Sequence, residues 1–271
     1  MGLFLASQEP AVRVYTSSAV ITQLQRGFTY RKSLDQMAWT ALHETQSGAQ
    51  AMTQDWLNRR EHGAGIVELQ LGNGPSNALS PGLLQDFAQQ IAELDASEAV
   101  EVILIGSPFK AFSVGTDSSQ NSDAFKTALD TALITLFSCQ TPTIAVVNGD
   151  IHGPGLSLIL TCDDRIGVTK SGYSYDGVHS GLEMSAVETV LVNQMLDQNV
   201  LRRLALTGQT IGPVAARNYG IIDIVAEDQE DLWMYALREA KAYAALAPDR
   251  FSKTKTCIRA HTLNLMRSAA G

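Results

Sequence analysis

The residues whose types and order could do chemistry gather around one segment, Thr143 to Asp163, TIAVVNGDIHGPGLSLILTCD. A β-branched run, Thr143 to Val147, leads through Asn148-Gly149 to Gly153-Pro154-Gly155 and then to an apolar run, Leu156 to Cys162. This order predicts strand, glycine-rich turn and helix. Such a turn lets backbone approach a ligand, and the amides that open the following helix suit an anion or a developing oxyanion. Taken alone, such a turn is more often a simple chain reversal. Titratable groups lie on or beside the same loops: Asp150 and His152 before the turn, and Asp176, His179 and Glu183 farther on. Histidine is a common proton-transfer residue, although a single one in the place of His152 is more often a hydrogen-bonded structural residue. Asp176 and Glu183 read equally well as solvated loop carboxylates.

The elements that must position these groups can be read outward from the segment. Strand Ile66 to Leu71 is followed by a turn at Gly72-Asn73-Gly74-Pro75 and by a helix opened by Ser80 as N-cap with Pro81 at its first position, running to about Ala96. A second strand, Val100 to Ile105, ends at Gly106, and a long loop to Asp123 precedes another helix. Strand and helix alternate, as βαβ units require. Residues 35 to 61 show two short helical patterns, Met37 with Leu42 and Met52 with Trp56 and Leu57, separated by Ser47-Gly48. Trp39 and Trp56 need burial, against the protein's own core or on a partner.

Ser76 to Ser80, FSVGTD (Phe112 to Asp117), the glycine-rich turn and LTGQTIGPVAARNYGIID (Leu206 to Asp223), ahead of a closing helix, follow one another in a single order. In that order the chain resembles the crotonase, or enoyl-CoA hydratase/isomerase, superfamily over roughly residues 63 to 260. The resemblance implies an α/β fold, a spiral of ββα units with a C-terminal helical region. The expected division is an N-terminal extension at 1–61, a core at 62–200 and the helical region at 201–271.

The resemblance also implies a mechanism, in which an acyl-CoA thioester oxygen is held between two backbone amides while two glutamates move protons or activate water. The first amide maps to Thr116, which keeps its N–H; the turn is bounded by Gly153 and Gly155, and the second amide maps to Pro154, which has none. The first glutamate maps to Ser157 and the second to Gly177. The aspartates of relatives with other chemistries map to Met184 and Ser185. A positioned acid or base contributes ~10²–10⁴ in rate, and one oxyanion donor ~10²–10³. Hydration is therefore expected to be lost, with His152, Asp176 and Glu183 as the replacement candidates.

Coenzyme A carries several phosphate charges. Between Gly63 and Phe125, where relatives make many contacts to it, Lys110 is the only cation beside eight carboxylates, leaving Lys253 and Lys255 on the last helix to meet them. No cofactor is required by this reading, and a CoA thioester is the one candidate ligand.

The net charge of −8 argues against nucleic acid, and no apolar stretch approaches the ~20 residues that span a bilayer. Cys139, Cys162 and Cys257 show neither metal-ligand nor disulfide spacing. Residues 1 to 34 carry four cations against Glu9 alone, a local +3, with seven Ser or Thr, the composition of a mitochondrial or plastid transit peptide or of a solvated basic arm. The expected role is a non-catalytic accessory subunit of a larger, mitochondrial respiratory-chain-type assembly, or of a cytoplasmic one. Homo- or hetero-contacts are expected through residues 1–61 and the C-terminal helices. The alternative is a divergent acyl-CoA isomerase, hydrolase or decarboxylase; an open pocket with two convergent amides and a carboxylate favours the enzyme, and a pocket filled by side chains the scaffold.

Overall fold

The computed structural model describes residues 56–116 and 122–271, all of which lie in one compact unit. A six-stranded sheet runs β1 (Leu57–Glu61), β2 (Ile66–Leu71), β3 (Val102–Gly106), β4 (Thr143–Val147), β6 (Asp164–Val168) and β8 (Ile224–Ala226) in spatial order, with β1 antiparallel to β2 and every other pair parallel. VILIG of β3 and TIAVV of β4 are buried at every position, because helices cover both faces. Ile103, Ile105, Ala145 and Val147 join the larger core. Val102, Leu104, Ile144 and Val146 meet Leu232, Ala236 and Ala240 on the other side.

Four of the central strands are each followed by a short extended segment that joins a second layer, and then by a helix. After β2 comes Leu79 and helix α1 (Pro81–Asp95); after β3, Ser113 to Thr116 and α2 (Asp123–Ser138). After β4 comes β5 (Ile151–His152) and α3 (Pro154–Leu160); after β6, β7 (Tyr173–Ser174), α4 (Gly177–Ser180) and α5 (Ala186–Met195). β5 pairs with β7, and single bridges join Leu79 to Thr116, Ser113 to Ile151 and Tyr173 to Ile211. This is the spiral of ββα units. Ser80 caps α1 through Leu83 N–H with Pro81 at its start, as the sequence predicts.

Two boundaries differ from expectation. Trp56 to Glu61 are expected in the extension at helical spacing, yet Leu57–Glu61 is an edge strand in register with β2, Leu57 opposite Leu71. Three apolar residues at i, i+4 and i+5 are too few to define a helical face, and the charged run Arg59-Arg60-Glu61 suits an edge that must not pair further. Trp56 packs on the core, its Nε1–H donating to Asp86 at 2.9 Å. Met37, Trp39, Leu42 and Met52 lie outside the described residues. The division expected at 200/201 is crossed by β8, which pairs with β6.

After α5 come α6 (Gln198–Leu201), α7 (Pro213–Asn218) and β8; α8 (Gln229–Ala244) then covers the second face of the sheet, and α9 (Pro248–Ala270) packs on α2 and α5. Lys255, expected to meet phosphate, is instead buried: its Nζ lies 2.5 Å from Asp163 and donates to the Thr141 carbonyl at 3.0 Å. Arg259 meets the other Asp163 oxygen at 2.8 Å. The same carboxylate accepts from Thr143 N–H and Oγ1 at 2.9 and 3.0 Å, so the cations anchor α9 to the start of β4.

Candidate active site

The glycine-rich turn forms where β4 ends and the chain crosses the second layer. Phe112 N–H donates to the Asp150 carbonyl at 2.9 Å, and His152 N–H donates to the Ser113 carbonyl at 3.0 Å, so FSVG and DIHG run side by side. Gly153 takes φ +49°, which a side chain would strain, and its N–H donates to the Ser174 carbonyl at 2.8 Å. Pro154 opens α3 with no N–H of its own. Gly155 is required by proximity, since a Cβ there would stand 2.8 Å from Ser113 Cβ. Thr116 bridges to Leu79, whose carbonyl accepts from its Oγ1 at 3.0 Å.

Most of the expected acid–base candidates are occupied in holding loops. A hydrogen bond of 2.7 Å joins His152 Nδ1 to Ser174 Oγ, and the Asp150 carboxylate accepts from Gly172 N–H, also at 2.7 Å. His179 Nε2–H donates to the Thr207 carbonyl at 3.1 Å. Glu183 pairs with Lys126 at 3.1 Å in a side chain 81% exposed. Asp176 stands at the start of α4, half-buried, with no capping bond from its side chain. At Gly177 a Cβ would lie 2.3 Å from the Leu182 carbonyl oxygen, so the tight α4 turn excludes any side chain there.

Beside the turn opens a cavity of about 250 Å³, walled by Pro154, Tyr175, Asp176, Gly177, Met184 and Glu188 among others. Glu188 is absent from the candidates read in the sequence. It is the third residue of α5 and only 2% exposed. Its Oε1 accepts from Ser157 Oγ at 2.6 Å and from Tyr175 OH at 3.4 Å, and the two hydroxyls also hydrogen-bond to each other. Ser185 and Glu188 form a capping box, Glu188 N–H donating to Ser185 Oγ at 3.0 Å and Ser185 N–H to Glu188 Oε2 at 3.4 Å. Ser185 Oγ–H in turn donates to Asp130 of α2.

Burial pushes the Glu188 carboxyl up to about 7, against the lowering effect of the Ser157 hydrogen bond. Burial also holds the Tyr175 hydroxyl well above its ordinary range, with the Glu188 charge adding to it. Asp176 and Glu183 also line this cavity, and Glu188 is its buried carboxyl, able to give or take a proton near neutrality and backed by two hydroxyls. No Lys or Arg is among the described residues that line it. The buried thiols of Cys139 and Cys162 are raised by desolvation, Cys162 to about 12, and are not nucleophiles at neutral pH. No group of His, Cys, Asp and Glu among the described residues could hold a metal ion.

A twisted, mostly parallel sheet, a second layer of short segments and a cavity at the glycine turn define an α/β protein of ββα units with its site where the two layers meet. The Enoyl-CoA hydratase/isomerase family model matches residues 61–269, and the chain belongs to that family. It is 30% identical over 174 residues to an enoyl-CoA hydratase of Alternaria alternata, covering 62% of this chain and 58% of the relative; the match thus spans less than two thirds of that protein. An enoyl-CoA hydratase domain-containing protein of rat, mitochondrial by its name, is 28% identical over 63% of this chain and 59% of its own. A methyl-dioxo-hexahydroindene-carboxyl-CoA hydrolase of Mycobacterium tuberculosis is 25% identical over 67% and 75% respectively. Among solved structures, an enoyl-CoA hydratase of Mycobacterium avium subsp. paratuberculosis superposes with TM-score 0.74 at 20% identity, over 81% of this chain and 90% of that one. That likeness speaks for the fold.

Proposed function

We propose that the protein is an acyl-CoA enzyme that moves a proton on the carbon next to the thioester carbonyl, and that it does not hydrate enoyl thioesters. The observation that carries this reading is the Glu188 carboxyl on the wall of an open cavity beside the glycine turn. Burying a carboxyl costs several kcal/mol (~2–7 even for a neutral polar group left unpaired), and an apolar residue would close the cavity more cheaply. A chain kept only as a scaffold has no use for that cost. One carboxyl suffices to take a proton from one carbon and deliver it to another. Hydration by the family's route needs a second acid–base group, and the α4 turn leaves no room for it at Gly177. With no donor at Pro154, turnover is expected to be slow, by the ~10²–10³ that one oxyanion donor supplies.

The relatives' names, hydratases of enoyl-CoA and a carboxyl-CoA hydrolase, support a CoA thioester as substrate. The test is to incubate the protein with saturated and 3-enoyl thioesters in deuterated water and follow exchange at the carbon next to the carbonyl, with crotonyl-CoA hydration measured in parallel. Exchange without hydration is expected. Hydration at about one turnover per second, a low but ordinary enzyme rate, or no exchange with any thioester, would overturn the reading.

The second reading is the accessory subunit, favoured by Pro154 where the resemblance implies an amide donor. It requires no exchange and predicts that partners co-purify with the full chain at low salt. A mitochondrial address is supported by the basic, hydroxyl-rich residues 1–34 and by the name of the rat relative.

A further inference from the structure

We infer that Glu188 is the acid–base group of this cavity in place of a glutamate at position 157: the carboxyl has moved from helix α3 to helix α5 while its location in the wall has been kept. The inference rests on the enzyme reading above. Ser157 Oγ stands one bond beyond Cβ, where a glutamate would place Cγ. Glu188 Oε1 lies 2.6 Å from that oxygen, within the reach of the two further bonds that would end in the missing carboxylate. Ser157 is fully buried behind the wall, whereas Glu188 and Tyr175 line the cavity, so the group offered to a substrate is the α5 carboxyl and not the serine hydroxyl.

The supporting contacts are those of a held reactive group. On the Oε1 side, Ser157 and Tyr175 supply hydroxyls; on the other, the Ser185 backbone N–H approaches Oε2 at 3.4 Å, a longer and weaker contact. Ser185 is itself tied to Asp130, which fixes the start of α5 to α2. Ser157, Tyr175 and Ser185 are positioning residues. In the step itself, ionised Glu188 takes a proton from the carbon next to the thioester carbonyl, and the C–H electron pair moves to the carbonyl oxygen as an enolate. The protonated Glu188 then returns the proton to the same carbon, or to the carbon two positions farther along a 3-enoyl chain, whose double bond shifts. No atom is gained or lost.

The experiment compares deuterium exchange into an acyl-CoA by the wild type, E188Q, S157A and the exchange variant S157E/E188S, all as full chains. E188Q should lose ~10²–10⁴-fold, the contribution of a positioned base. The exchange variant should recover at least about tenfold over E188Q, the two positions behaving as one coupled site. S157A should shift the midpoint of the rate–pH profile upward, because the hydrogen bond that favours the ionised form is gone. In the unaltered protein, the infrared carbonyl band of the buried protonated carboxyl, assigned by its loss in E188Q, should move when a saturated acyl-CoA is added. Wild-type exchange that persists within about threefold in E188Q would overturn the relocation alone, as would an infrared band indifferent to the thioester. No exchange by the wild type with any thioester would remove the enzyme reading and this inference with it.

Discussion

Replacing Glu188 by glutamine should change how stability depends on pH, and in a known direction. The carboxyl's pKa is raised from 4.5 to about 7 by burial, so the folded protein binds this proton more tightly than the unfolded chain does. Its contribution is therefore fully present below about pH 4.5, declines as pH rises, and is lost above about pH 7. A rise of this size at 1.36 kcal/mol per pH unit is worth about 3 kcal/mol. Glutamine keeps the shape and cannot ionise, so the wild type minus E188Q difference should fall by that amount between about pH 4.5 and pH 8. Asp164, raised to about 6 by burial and by the neighbouring Asp223 charge, acts in the same direction but in both proteins, and cancels from the difference. The assay is equilibrium urea unfolding at intervals of half a pH unit, read by fluorescence, with m-values checked for constancy. A difference that stays flat within about 1 kcal/mol across that range would show that Glu188 is solvated or charge-paired in solution, and the acid–base reading would lose its physical basis.

Other substitutions probe the frame around the cavity. Gly177→Ala forces a Cβ to within 2.3 Å of the Leu182 carbonyl and should cost ~1–3 kcal/mol by overpacking; an unchanged urea midpoint would show that the α4 turn opens freely. Lys255→Met leaves Asp163 with Arg259 as its remaining cation. It should cost about 3 kcal/mol and speed hydrogen exchange first in residues 248–270, whereas unaltered protection there would refute the anchoring role. Trp56→Ala should lose ~2 kcal/mol or more, since its ring packs on the core and its Nε1–H on Asp86; a residue serving only a partner would leave the melting temperature where it was.

The fold is legible in the sequence where local chemistry and long-range packing agree. Ile66–Leu71 and Thr143–Val147 are strands as read, because the first is a mostly apolar segment between Gly65 and Gly72 and the second a β-branched and apolar run that ends at Asn148-Gly149. Ser80-Pro81 opens a helix as read, because the cap and the fixed proline φ act within one turn. Leu57–Glu61 is not legible: its strand character comes from pairing with β2, which composition does not encode, and its apolar spacing fits two periods. The role of Lys255 is hidden for the same reason, since its partner Asp163 lies 92 residues away and meets it only when α9 closes.

The site divides along a similar line. The glycine turn, the absent amide of Pro154 and the bare backbone of Gly177 are readable because each is a local property of the chain. Glu188 is hidden because titratable groups are sought in loops, whereas residues 186–195 form a helix with a buried face. Yet the sequence carries a signal. Ser185-Ala186-Val187-Glu188 is a capping box, and three- and four-residue spacing puts Glu188 on the same face as Leu191 and Val192, both buried. A helix of that pattern should have an apolar residue at 188. A carboxyl on a buried face either has a partner of opposite charge or keeps its proton near neutrality, and the hydrogen bonds to Glu188 come from hydroxyls and backbone amide only. The departure from hydrophobic periodicity is thus itself the indication of chemistry, one that can be read only after the helix and its buried face have been drawn.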